Sequence, residues 1–234
     1  HNQQLMVGGQ PYYNAFLSLS YKSGSPAYAS GYFEQYNQAG EAADSGKLVD
    51  TVYEVEDGLG ALQRWDYAPL SRILTGRVGN TPFYQVPLNR YIDNDPTRSH
   101  FYFTSSMYVV SDSYRDNGIG GMARQQFHYK EAIYNREGRG FQGFRRIITD
   151  DIESGLRTVN TFHQRFPLAG KLETSRVCLS SDTLSFCEQS PLNLEQYDYH
   201  ALATTSAGTW WVYPTLSLQQ QFALDNRSTM MQEV

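Results

Sequence analysis

The chain carries only 2 cysteines in 234 residues, few lysines beside its arginines, and no long apolar run. Each shortage excludes something. Two cysteines, Cys178 and Cys187, fit no metal-binding pattern. No stretch approaches the ~20 apolar residues that cross a bilayer as a helix, so no membrane-spanning segment is expected. The formal net charge is −5 with acids and bases interspersed, and no basic cluster could neutralise a row of phosphates. Nucleic acid is therefore not expected as a partner. Long blocks of Ala, Glu, Lys and Leu, which build long helices, are missing too. The first residues, His1-Asn2-Gln3-Gln4, lack the charged and apolar regions of a signal peptide and read as an internal cut, with any export signal outside the chain.

Aromatics make up 14% of residues, with 18 tyrosines, against 18% charged. Tyrosine and threonine suit pleated, half-buried surfaces. Turn signals recur every ~8–12 residues between apolar alternations, which is the pattern of a sandwich, barrel or sheet array. The expected fold class is all-β: consecutive antiparallel hairpins forming an extended sheet or sandwich. Residues 1–47 read as an irregular N-terminal segment, the end of a preceding region, and residues 48–234 as the β-rich body.

Strands are expected over 48–55 and 61–67, around the turn Asp57-Gly58-Leu59-Gly60, and over 101–114 and 122–134, around Asp116-Asn117-Gly118-Ile119-Gly120-Gly121. Pro82, Pro87 and Pro96 mark residues 71–100 as a long surface loop. Further strands are expected over 145–149, 156–164, 171–179, 183–189, 195–204 and 210–212. Helix is plausible only over 68–75 or 216–223.

The most distinctive stretch runs from Tyr134 to Asp151. It sets Tyr134 and the turn Asn135-Arg136-Glu137-Gly138 before Arg139 and the element Gly140-Phe141-Gln142-Gly143-Phe144. Glycine at these positions takes positive φ without steric cost, while the phenylalanines supply apolar weight to seat the turn. The reading is structural, not catalytic. The turn-like Ser-Ser-Asp-Thr between Cys178 and Cys187 could set them on facing strands, either as a disulfide or as two packed free thiols.

Candidates for chemistry are thin. His100, His128, His163 and His200 show no metal-ligand spacing. Asp150, Asp151 and Glu153 form the one tight acidic cluster, and such a cluster after a strand reads as a solvated loop rather than a glycosidase pair. Asp112, Asp116 and Asp93-Asn94-Asp95 do not compose a calcium loop. Trp210, Trp211 and Tyr213 could stack on sugar, but adjacent strand positions face opposite ways, and core or interface packing is the plainer reading. No catalytic residue, cofactor or metal site is expected. A carbohydrate-binding or carbohydrate-cleaving β-module is the alternative.

Taken in order, Val55-Glu56-Asp57-Gly58-Leu59-Gly60 to Tyr67-Ala68-Pro69-Leu70, Tyr108-Val109-Val110-Ser111, Phe127-His128-Tyr129 through Gly140-Phe141-Gln142-Gly143-Phe144-Arg145, and Phe166-Pro167-Leu168-Ala169-Gly170-Lys171 resemble large secreted bacterial proteins of the Rhs/YD-repeat class. The similarity is greatest to the B components of insecticidal Tc toxin complexes and to virulence-plasmid B-type (SpvB-type) proteins. Tyr213-Pro214 to Leu224-Asp225 continues it. The resemblance implies β-sheet in a hollow shell that encloses or presents a toxic effector. It implies partners in other segments of the same large chain, other toxin-complex subunits and the enclosed effector. It also implies a secreted or bacterial cell-surface location and no catalytic residue in this region.

Overall fold

The computed structural model describes residues 4–7, 10–13, 51–87, 92, 97–203, 209–223 and 229–231. The chain divides into two units, His1–Tyr53 and Glu54–Val234. In the first, β1 (Gln4–Val7) pairs antiparallel with β2 (Gln10–Tyr13). The remainder of the irregular segment expected over 1–47 lies outside the described residues, as does Asp93-Asn94-Asp95.

Among its described residues the second unit is all-β save for one short α-helix and a 3-10 turn at Val78–Asn80. Its strands are β3 (Glu54–Glu56), β4 (Leu62–Pro69), β5 (Tyr84–Gln85), β6 (His100–Tyr102), β7 (Tyr108–Asp116), β8 (Met122–Lys130), β9 (Ile133–Asn135), β10 (Gly140–Phe141), β11 (Arg146–Asp151), β12 (Leu156–Phe162), β13 (Leu172–Leu179), β14 (Asn193–Ala203), β15 (Trp210–Phe222) and β16 (Thr229–Met231), with α1 (Leu184–Gln189) before β14. Eleven of them form one sheet in the order β16-β15-β14-β13-β12-β11-β8-β7-β4-β3, with β5 added parallel to β8; β10-β9-β6 form a second, small sheet.

Polar turn residues fix the hairpins. Asp57 Oδ1 accepts from the amides of Leu59 and Ala61 at 2.8 and 3.0 Å, and Asn117 Oδ1 from those of Ile119 and Gly121 at 3.0 and 2.9 Å. These side chains stand in for a missing backbone partner and hold the reversal.

Neighbouring residues on a strand face opposite ways, and the sheet buries both faces at its centre. Ile147 packs with Phe127 and Tyr129 against Ala68, Leu70 and Phe83. Ile148 packs on the other face with Val159, Cys178 and Cys187, under Leu184 of α1.

Several expectations need correction. Residues 71–100 are not simply a surface loop: Phe83 is fully buried and β5 pairs with Tyr129 and Lys130 of β8. Within the strand expected over 183–189, residues 184–189 form a helix, which the Thr183 hydroxyl caps by accepting from the Phe186 amide at 3.2 Å. The cysteines thus stand on a strand and a helix, not on facing strands. The two plausible helices are absent: Ala68 and Pro69 end β4, and residues 216–222 continue β15, where a register shift between Asp198 and Tyr199 of β14 sets Pro214 opposite Tyr199. The long strands expected over 101–114 and 122–134 each divide between the two sheets, the second at Glu131, whose φ is +54°.

Candidate functional site

The Tyr134–Phe144 stretch is an excursion from the large sheet. β8 leaves it at Lys130, β9 and β10 pair with each other, and Gly143 returns the chain to β11 beside β8. Asn135 Oδ1 accepts from the amides of Glu137 and Arg139 at 2.9 and 3.3 Å, which closes the turn through Gly138 (φ +94°). Gly140 and Gly143 have φ of +70° and +86°, values that a β-carbon makes costly. The Gly143 carbonyl accepts from the Ile133 amide at 3.2 Å and from Gln164 Nε2 at 2.9 Å.

The aromatic rings then lock the excursion down. Phe144 lies 4.7 Å from Tyr129 and 5.6 Å from Phe141, and Phe141 lies 5.3 Å from Phe103. Tyr134 stacks on Phe103 at 6.0 Å. The Arg139 guanidinium sits 3.4 Å above the Phe166 ring, whose other neighbour is Trp210 at 5.8 Å. Beneath them Tyr84 is pushed up to about 12 by burial, and its hydroxyl donates to the Phe103 carbonyl.

On the opposite face lies a cluster that the sequence did not announce. Register places Gln126 and His128 of β8 beside Asp150 and Ile148 of β11, and Arg157 of β12 beside Asp150. Arg157 grips Asp150 bidentately, Nε to Oδ1 at 2.7 Å and Nη2 to Oδ2 at 3.0 Å. His128 Nε2 lies 3.0 Å from Asp150 Oδ2, off the line of an ideal hydrogen bond, and its Nδ1 reaches the Pro82 carbonyl at 3.2 Å. Burial raises the Asp150 pKa, but the contacts with His128 and Arg157 outweigh it and leave the carboxyl below its ordinary value.

A second ionic group sits where β7 and β8 part. Arg77 Nη2 donates to the carbonyls of Ser111 (2.8 Å) and Phe127 (2.7 Å), one on each strand. Its Nη1 is 3.3 Å from Asp112, which also takes Arg124 Nε and Nη2 at 3.1 and 2.7 Å. Burial raises the Asp112 pKa, and the two arginines bring it below the ordinary value.

The expected solvated acidic loop is therefore corrected at Asp150, which is fully buried on β11. Asp151 and Glu153 face elsewhere, bonding the Ser154 and Arg124 amides at 2.9 and 2.8 Å. The histidines do not converge: His100 contacts Ser99 and Asn135, His163 approaches Glu173 at 3.9 Å, and His200 lies against Tyr213. Trp210 and Trp211 are 43% and 66% exposed, outside the core, and face opposite ways opposite Ala203 and Leu202. Cys178 and Cys187 are joined by a disulfide, fully buried between β13 and α1. Among the described residues no group of His, Cys, Asp and Glu is set to hold a metal, and no helix is long and apolar enough to cross a membrane.

Burial closes the ionic cluster to chemistry on a substrate. His128 and Asp150 have no exposed side-chain surface, and Arg157 has almost none, so these groups meet only one another and the chain that covers them. What the arrangement does is join segment 77–83 to the sheet through Arg77, Thr81 and Pro82.

Residues 14–169 match the family described as the insecticide toxin TcdB middle/N-terminal region, which is more than half of the chain. The chain belongs to that family. No curated protein matches it. Within the TcdB-region match fall the Tyr134–Phe144 excursion, Arg77, Asp112, His128, Asp150 and Arg157; the disulfide and the β14–β15 hairpin lie beyond it.

Proposed function

We propose that this segment is a non-enzymatic wall element of a secreted bacterial toxin of the Rhs/YD-repeat class. It lends β-sheet to a shell that encloses or presents a toxic effector polypeptide. Its partners are other segments of the same large chain, other toxin-complex subunits and the enclosed effector. The observation that carries this reading is the eleven-stranded, mostly antiparallel sheet, buried on both faces at its centre, in a chain of the TcdB family. A wall needs continuity and rigidity. The charged residues with a catalytic look are spent on binding segment 77–83 to the sheet. No cofactor enters.

The test is protease protection of the payload in the full-length toxin. The intact protein should shield its effector, and Val159→Asp, which plants a charge in the buried second core, should expose it at unchanged expression. Equal protection in both would count against a wall role. A carbohydrate-binding module is the second reading, favoured only by the exposure of Trp211 (66%) beside Tyr213. A glycan array on which the wild type binds and Trp210→Ala or Trp211→Ala does not would establish it instead.

A further inference from the structure

The sheet face that carries Ile148 also carries a cationic patch. Lys130 of β8 stands directly opposite Arg146 of β11, and register puts Arg176 of β13 on the same face two strands away. Like charges directly opposed across a ladder are destabilising, so this pairing costs stability. Glu188 answers it by direct contact, with Glu131 acting on Lys130 and Glu173 on Arg176 from further off. Glu188 of α1 pairs with Arg146 Nη1, and Arg176 Nη1 is 2.6 Å from the Thr174 hydroxyl. Among the described residues Lys130 makes no side-chain hydrogen bond or ion pair, and the buried Nε atoms of Arg146 and Arg176 have no acceptor.

We infer that this patch docks an acidic polypeptide segment whose carboxylates complete the pairing begun by Glu188. Charge complementarity names the partner, and the contact already made there refines it: the group paired with Arg146 is a side-chain carboxylate, and planar guanidinium groups bind carboxylates well. A nucleic-acid backbone fits less well, because the patch has too few cations for a row of phosphates and Glu188 would repel one. Burial, with Arg146 alongside, lowers the pKa of Lys130 against the opposing pull of Glu131 and Glu188. The inference goes beyond the wall-building reading, since a wall with no partner on this face would fail the test below and keep its architecture.

The experiment is fluorescence anisotropy of a short labelled oligoglutamate peptide with the whole chain, with oligothymidylate of equal charge as competitor. The wild type should bind the peptide more weakly as salt rises. Lys130→Gln/Arg176→Gln should weaken binding about tenfold at unchanged melting temperature, on the scale of one to two charge-assisted contacts. Glu188→Gln, which removes the competing carboxylate, should tighten it severalfold, an effect that misfolding cannot mimic. Undiminished binding by the double variant, no tightening by Glu188→Gln, or tighter binding of the oligothymidylate would overturn the proposal.

Discussion

Arg157 and Asp150 face each other across the β11–β12 ladder, and two hydrogen bonds of 2.7 and 3.0 Å join them where neither is open to water. The same guanidinium reaches Thr81 Oγ1 at 3.3 Å and the Asp182 carbonyl at 3.2 Å, so one side chain ties the sheet to two segments that cross it. Removing it strands a buried carboxylate. Arg157→Ala should lower unfolding free energy by about 3–5 kcal/mol, measured by urea denaturation, whereas an exposed pair would give under about 1 kcal/mol.

Acid should weaken the fold in a defined direction. Asp112 and Asp150 have folded pKa values below their ordinary ones, the raising effect of burial being outweighed by arginine and histidine contacts. A depressed folded pKa gives stability that is complete above the unfolded value of about 3.9 and lost as pH falls through the folded value. The urea midpoint should therefore hold from neutrality to about pH 5 and fall steeply below about pH 4. In Asp112→Asn the remaining acid dependence should be shallower.

Gly140 and Gly143 should resist replacement for reasons of backbone rather than space. At φ +70° and +86° a β-branched residue is strained, although a Cβ at Gly143 would meet nothing within 4 Å. Gly140→Val and Gly143→Val should each cost about 1–3 kcal/mol. Gly58, also in open space but without positive φ, is the control, and Gly58→Ala should leave the melting temperature nearly unchanged. Equal melting temperatures for all three variants would contradict the turn geometry.

The disulfide should hold α1 to β13. The bridged residues are 9 apart, so a loop of this size stabilises by about 2–3 kcal/mol in the chain-entropy account. Cys178→Ala/Cys187→Ala should lower the melting temperature by several degrees and raise hydrogen exchange at residues 184–189 before the rest of the sheet. Uniform exchange in the variant would argue that Leu184 packing alone holds the helix.

Hairpins were legible wherever a polar turn separated alternating runs, as at Asp57–Gly60 and Asn117–Gly121, because local side-chain bonds decide those reversals. The all-β class followed from the same alternation. Register was not legible, and register is what turns Asp150 inward beside Arg157 and His128 while Asp151 faces out. A lone acid after a strand looks solvated until its neighbours across the ladder are known. The prolines around segment 77–85 signal loop from local sequence alone, whereas Phe83 and Arg77 are held by contacts with β7 and β8 far along the chain. The helix at 184–189 leaves no clear sequence signal because its six residues are too few for a period, and tertiary contact through Cys187 helps decide it.

The central claim is architectural, and an electron cryo-microscopy map of the assembled full-length toxin tests it most directly. The account predicts that the β3–β16 sheet is continuous with the wall of a closed chamber, with His128 and Asp150 covered by segment 77–83. A map in which this sheet stands apart from any chamber, with those two side chains open to a cleft holding a small molecule, would contradict it.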